Sequence, residues 1–268
     1  MTLATHATTP QPITASAVTL IPGYFTAPVP PTPLVFNAQH DACPTATVAL
    51  TQFSDAIGRA VGYDREQGGR LIQDIFPVRS NEREQVSSSS KVVLGSHTET
   101  AFHPHRPRYV VLLCLRSDPQ AATTYADVAD IVVHLSNEYL AALQTNEFVT
   151  SIDPSFMSNG EPDAQVHVAP LTATGEGWSL IYDQLLMRGT TPQAIAALSA
   201  LHDAVKHTTQ QVVLAAGDIM VIDNHRAVHG RTPFAPRYDG TDRWLKRALV
   251  VQSLDGIDAV DRVIQTYL

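Results

Sequence analysis

Apolar residues recur at four-residue steps through VALTQFSDAIGRAVGYD, where Phe53, Ile57 and Val61 share one helical face. The same spacing joins Ile131, Leu135, Tyr139 and Leu143 in YADVADIVVHLSNEYLAALQTNEF and predicts a second helix. A third is predicted from TTPQAIAALSALHDAVKHTT. Thr191 is its N-cap, Pro192 takes the first helical position, and Ile195, Leu198, Leu201 and Val205 form its apolar face. Elsewhere the pattern changes to short apolar runs. GGRLIQDIFPV reads as a strand entered through glycines, and RYVVLLCLR as another. A polar loop, RSNEREQVSSSS, precedes KVVLGSHTE. QVVLAAGDIMVIDN, RAVHGRTPF and RWLKRALVVQSL then read as strand, turn, strand, long loop, strand. Five prolines between Leu20 and Leu34 suit an extended segment lying on the domain.

These elements imply one mixed domain over residues 17–268, a β core with a few covering helices, behind a mobile Thr/Ala/Pro-rich tail over residues 1–16. No internal repeat or inter-domain linker interrupts it. Apolar residues make up 44% of the 268 and charged residues 16%, which excludes disorder. A formal net charge of −8 weighs against a nucleic-acid partner or an anionic membrane surface. No apolar run approaches a membrane span, and the start lacks the basic and apolar regions of a secretory signal. Two cysteines are too few for a disulfide scaffold, and Cys114 in YVVLLCLR reads as a buried, inert thiol. The expected location is a reducing cytoplasm.

Candidate chemistry concentrates in GSHTETAFHPHRPR, Gly95 to Arg108, which holds three histidines and one glutamate. His97 and Glu99 are two apart, and on a strand that spacing points both side chains to one face. Two histidines and a carboxylate are the usual protein set for non-haem iron(II). The third ligand must come from elsewhere, and DNHRAVHGRTPF offers His225 and His229. DRWLKR supplies Arg243 and Arg247, an even spacing that lets both guanidinium groups face one cavity from a strand. The arginine fork suits a carboxylate.

The blocks LIQDIFPV, HTETAFHP, YVVLLCLR and GDIMVIDNHRAVHGRTPFAPRYDGTDRWLKR occur in this order between about residues 18 and 255. In them the chain resembles the clavaminate synthase-like family of iron(II)/2-oxoglutarate oxygenases, relatives of the taurine dioxygenases. The resemblance implies a mainly β fold with covering helices, the double-stranded β-helix (a cupin-like jelly roll). It implies His97, Glu99 and His229 as iron ligands and leaves His103, His105 and His225 as scaffold or surface residues. It places the distal carboxylate of 2-oxoglutarate on Arg243, assisted by the hydroxyl of Thr124, with Thr123 as the alternative. The implied enzyme is a dioxygenase that consumes 2-oxoglutarate and dioxygen, releases succinate and carbon dioxide, and oxidises an unactivated C–H bond. Its implied substrate is a free amino acid or derivative, in specialised-metabolite (antibiotic) biosynthesis. Hydroxylation is the default outcome, with desaturation or ring closure as variants.

For such a substrate the resemblance points to Arg247 at the α-carboxylate. Gln73, Ser87 or Ser88 and the free oxygen of Glu99 are candidates around the ammonium group, and Asp183 in LIYDQLLMRGTTP is placed at the side-chain tip. One residue departs from the family text HTEDAFHP. Thr100 stands where Asp is usual, which implies altered hydrogen bonding around an intact centre. Two other classes compete. A zinc protein using His97, His103 and His105 would leave VHGRTPF…DRWLKR without a purpose. A non-catalytic β-helix binding module would have kept three ligands and an arginine it does not need. The sequence is silent on oligomeric state.

Overall fold

The computed structural model describes residues 16–37, 40–153, 156–157 and 164–266. The tail expected over residues 1–16 therefore lies outside the described residues, apart from Ser16. The first helix, Pro44–Ile57, buries Leu50 and Phe53. It stops before the four-residue pattern does, at Gly58, a weak helix former whose missing Cβ also admits the carbonyl oxygen of Val251, which a Cβ would meet at 2.4 Å. Val61 consequently falls on the strand Arg59–Tyr63.

The second predicted helix is two short ones, Val128–Val132 and Asn137–Ala142. Each has its own cap: Asp127 accepts from Ala129 N, and Ser136 accepts from Tyr139 N. Local capping overrides a continuous apolar spacing. The third, Pro192–Thr208, starts at Thr191 as expected, with the hydroxyl accepting from Ala194 N. Its buried stripe is displaced toward Ala194, Ala197 and Ala204, beside Leu198, Leu201 and Val205, and Ile195 is 57% exposed.

The apolar runs form the centre of an eight-stranded sheet. Tyr109–Arg116 and Trp244–Val251 pair antiparallel in its middle. Ile219–Asp223 and then Val18–Ile21 lie on one side, and Ile72–Ile75 and Arg59–Tyr63 on the other. The first helix covers one face and a second sheet the other, so these strands are buried on both faces and their apolar runs are nearly continuous. Val111, Leu113, Ile219 and Val221 pack outward with the first helix, while Val110, Leu112, Met220 and Leu245 point inward.

The second sheet is smaller, in the order Gln210–Val212, Thr123–Asp127, Ala227–Arg231, Leu94–His97. The third helix and the two short ones form a separate apolar cluster with residues of this sheet. The two sheets and their outer helices make a double-stranded β-helix. Among the described residues no helix is long and apolar enough to cross a membrane.

Candidate active site

The strands Leu94–His97 and Ala227–Arg231 pair so that His97 lies opposite His229, their ring centroids 4.5 Å apart. Glu99 is not on the strand. Its segment ends at His97, and Glu99 sits in the turn that follows, so strand alternation is not what aims it. Asn224, fully buried, sets its position instead. Glu99 N donates to Asn224 Oδ1 at 2.7 Å, and Asn224 Nδ2 donates to Glu99 O at 3.1 Å and Pro107 O at 3.0 Å. One ligand atom from each of His97, Glu99 and His229 lies within 4.8 Å of the others.

The other histidines are elsewhere. His103 Nδ1 accepts from His105 N at 3.0 Å, its ring packs edge-on against Tyr63, and burial holds its pKa down to about 4. His105 is exposed. His225 is pushed down to about 3 by burial and by Arg106 and Arg108. A zinc set of His97, His103 and His105 is therefore not assembled.

The donor atoms of the triad suit a divalent cation. His97 Nδ1 lies 2.8 Å from Gly95 O, and a carbonyl only accepts, so Nδ1 carries the proton and Nε2 keeps its lone pair. His229 Nε2 is 3.5 Å from Glu99 Oε2, and that oxygen is buried with no hydrogen-bond partner. Glu99 Oε1 accepts from Arg247 Nη1 at 2.8 Å. Burial is the largest single influence and alone would raise the Glu99 carboxyl, but Arg247, His229 and His97 together outweigh it, and the group stays well below the usual carboxylate range. An anionic carboxylate with one bare oxygen facing two imidazoles is a donor set for iron(II). The residues fit the ion.

These ligands line a cavity of about 600 Å³. Arg243 and Arg247 reach it from the large sheet. Arg243 is buried and its Nη2 donates to Thr123 Oγ1 at 3.2 Å. The hydroxyl expected here was that of Thr124. Thr124 lies opposite Gly230 on the other face, whereas Thr123 lies opposite Arg231, on the face that carries His229. Thr123 is the hydroxyl beside the guanidinium.

Arg247, expected at a substrate α-carboxylate, lines the cavity with most of its donors already engaged. Its Nε donates to Gln73 Oε1 at 2.8 Å and its Nη1 to Glu99, while Nη2 reaches both Gln73 Oε1 and Glu66 Oε1. Four of its five N–H donors are thus engaged. Gln73 is correspondingly a partner of Arg247 and not a wall of the cavity. Ser87, Ser88 and Asp183 do line it. Ser88 Oγ accepts from Asn81 Nδ2 at 2.9 Å, and Asp183 Oδ1 caps its own turn, accepting from Leu185 N and Leu186 N at 2.8 and 2.7 Å.

Sequence reasoning missed Glu66 and Asn224. Glu66 shares Arg247 with Glu99, lines the cavity, and has a buried Oε2 without a partner; burial raises its carboxyl against the pull of Arg247. The available signal was the Gly68–Gly69 pair that follows it, both at positive φ, which folds this segment back on the sheet. Asn224 stood in the quoted block GDIMVIDNHRAVHGRTPF, with no chemistry of its own to single it out.

Comparison with known proteins agrees with this geometry. The family model described as taurine catabolism dioxygenase TauD, TfdA family matches residues 33–249. The chain is 36% identical over 228 residues to an L-asparagine oxygenase of Streptomyces coelicolor, covering 84% of this chain and 68% of that protein. It is 34% identical over 229 residues to an L-lysine 3-hydroxylase of Catenulispora acidiphila, covering 83% and 63%. The match thus spans only about two thirds of either relative. A solved structure of asparagine oxygenase with Fe(II), (2S,3S)-3-hydroxyasparagine and succinate superposes with a TM-score of 0.82 at 34% identity, over 94% of this chain and 80% of that one. By this match along most of its length, by its fold and by its ligand triad, the chain belongs to the TauD, TfdA family of iron(II)/2-oxoglutarate oxygenases.

Proposed function

We propose that this chain is a dioxygenase that oxidises an unactivated C–H bond of a free amino acid or a close derivative, with hydroxylation as the default outcome. The observation that carries the reading is the His97–Glu99–His229 triad in one cavity with Arg243, a buried guanidinium without a carboxylate partner among the described residues. When bound, iron(II) with 2-oxoglutarate and dioxygen supplies the oxidising power that breaks such a bond.

The protein's own residues bind, orient and exclude water. Arg243 and the Thr123 hydroxyl take the distal carboxylate of 2-oxoglutarate. Burial lowers the Arg243 pKa to about 10, and a buried cation of this kind is stabilised by an anionic partner. Arg247 fixes Glu99 Oε1 and leaves Oε2 to the metal. For the amino acid, Glu66 Oε2 and the second lone pair of Glu99 Oε1 accept from the ammonium group. The remaining Arg247 N–H takes the α-carboxylate, and the hydroxyl of Ser87 or Ser88 faces the ammonium group. Asp183, through the oxygen that does not cap its turn, meets the side-chain tip. The same reading makes residues 17–268 one catalytic domain working in the reducing cytoplasm, in specialised metabolism.

The test is anaerobic addition of iron(II) and 2-oxoglutarate, followed by air and a panel of free amino acids. A weak visible charge-transfer band, succinate release and a product heavier by one oxygen are expected. Absence of both the band and succinate would overturn the reading.

A further inference from the structure

The cavity wall includes a segment whose only apolar side chain, Val86, is half-buried. In QVSSSSK, Gln85 to Lys91, four serines run in a row, and Ser87 and Ser88 face the cavity. Serine side chains bury almost no apolar surface, so the hydrophobic effect cannot hold such a segment. Ser89 and Ser90 are nevertheless 1% and 0% exposed. Polar contacts from the strand that carries His229 reach the segment at the carbonyl and hydroxyl of Ser89. Arg231, two residues beyond His229 and 3% exposed, donates from Nη1 to Ser89 O. Its Nη2 donates to Ser89 Oγ at 3.0 Å and Val92 O at 3.1 Å. The guanidinium lies over the Phe234 ring at 5.1 Å, and Phe234 N donates to Ser90 O at 2.8 Å.

We propose that Arg231 is a positioning residue: it latches the serine segment to the metal-ligand strand and thereby sets which substrate the cavity accepts. The proposal rests on the oxygenase reading for its consequence, though not for the latch itself. Three acceptors, two on Ser89 and one on Val92 just after the segment, meet one planar fork, a geometry that a lysine ammonium cannot reproduce. No carboxylate pairs with Arg231 among the described residues, and burial together with the neighbouring Arg243 lowers its pKa to about 10. The cation is therefore held by the carbonyls it organises. Arg231 also lines the cavity and its buried Nε has no partner, but both terminal nitrogens are engaged by the segment, and the effect on a substrate runs through where Ser87 and Ser88 stand.

The experiment uses the full chain with Arg231→Lys and, as a milder change that removes only one acceptor, Ser89→Ala. Hydrogen exchange is measured at the amides of Ser89, Ser90 and Lys91, which are hydrogen-bonded to Val86 O and Glu82 O. Exchange there is expected to rise about tenfold in Arg231→Lys and less in Ser89→Ala, in line with a lost charged hydrogen bond, while Ile219–Asp223 is unchanged. With L-asparagine and L-lysine as probe amino acids, KM for the accepted one is expected to rise about tenfold. kcat and the 2-oxoglutarate requirement are expected to move far less. Unchanged exchange at the serine segment would overturn the latch. A raised 2-oxoglutarate requirement with unchanged amino-acid KM would overturn its role in substrate choice and make Arg231 a cosubstrate residue. A wild type that forms no succinate would sink the oxygenase reading alone, since the exchange result still decides the latch.

Discussion

Asn224 offers the iron nothing, yet it determines where a ligand sits. Its amide makes two hydrogen bonds to the backbone of Glu99 and one to Pro107 O, all within a fully buried pocket. Asn224→Ala leaves those backbone groups without partners, at about 1–3 kcal/mol for each unsatisfied group. Iron(II) affinity, measured by anaerobic titration, is expected to fall about 10–100-fold, the range for losing a partner that orients a ligand. Native affinity in that variant would show that the turn aims Glu99 unaided. Thr123 and Thr124 make a cleaner comparison, because they are adjacent and chemically identical. Only Thr123 touches Arg243. Thr123→Val is therefore expected to raise the 2-oxoglutarate requirement severalfold, and Thr124→Val to leave it near wild type. Kinetics at saturating amino acid decide this, and the reverse ranking would return the role to Thr124.

At the scale of elements, what could be read from sequence was whatever the apolar pattern dictates directly. Central strands such as Tyr109–Arg116 were visible as unbroken apolar runs because both their faces are covered. Pro192–Thr208 was visible because its cap and proline lie in the sequence itself. The ends of the first two helices were not, since Gly58 answers to a distant carbonyl and Ser136 competes locally with an apolar repeat. The ligand triad was legible through resemblance, whereas the reason for it was not. His97 and His229 meet by strand pairing, but Glu99 is aimed from a turn by a residue 125 positions away. Register separates Thr123 from Thr124, and nothing local reports register. That same turn carries a testable strain. Thr100 has φ 50°, a left-handed conformation that costs a β-branched residue more than Asn or Asp. Thr100→Asn is expected to raise stability by up to about 1 kcal/mol, read as a higher Tm, with iron affinity unchanged. A lower Tm would mean that the hydrogen bond from Thr100 Oγ1 to Glu99 O outweighs the backbone strain.

Across the whole molecule the site is a joint between two sheets. The small sheet and its following turn supply His97, Glu99, His229 and Thr123, while Arg247 comes from the large sheet and Arg243 from the residue just before its strand Trp244–Val251. Cation and cosubstrate held as proposed would therefore tie the sheets, and binding to the folded state alone would stabilise it by mass action. Acid acts on the same whole through buried histidines. His103 is held down to about 4 and His225 to about 3, both chiefly by burial, against an ordinary value of 6.5. The unfolded chain thus takes up these protons first as pH falls. Above about pH 6.5 neither state is protonated there and stability is at its full value. Below that the unfolded state binds more protons, so stability falls until the folded pKa values are passed, and then levels. Glu66 and Asp223, raised by burial, act in the opposite sense and gain stability as pH falls. A comparison of variants is therefore needed. Tm of wild type and of His103→Gln/His225→Gln should be followed from about pH 7.5 to about pH 5, a window below the unfolded and above the folded values of both rings at its acid end. The wild type is expected to lose more Tm over this range than the double variant. Parallel losses would mean that neither ring stays neutral in the folded protein, and that the acid sensitivity lies in the carboxylates.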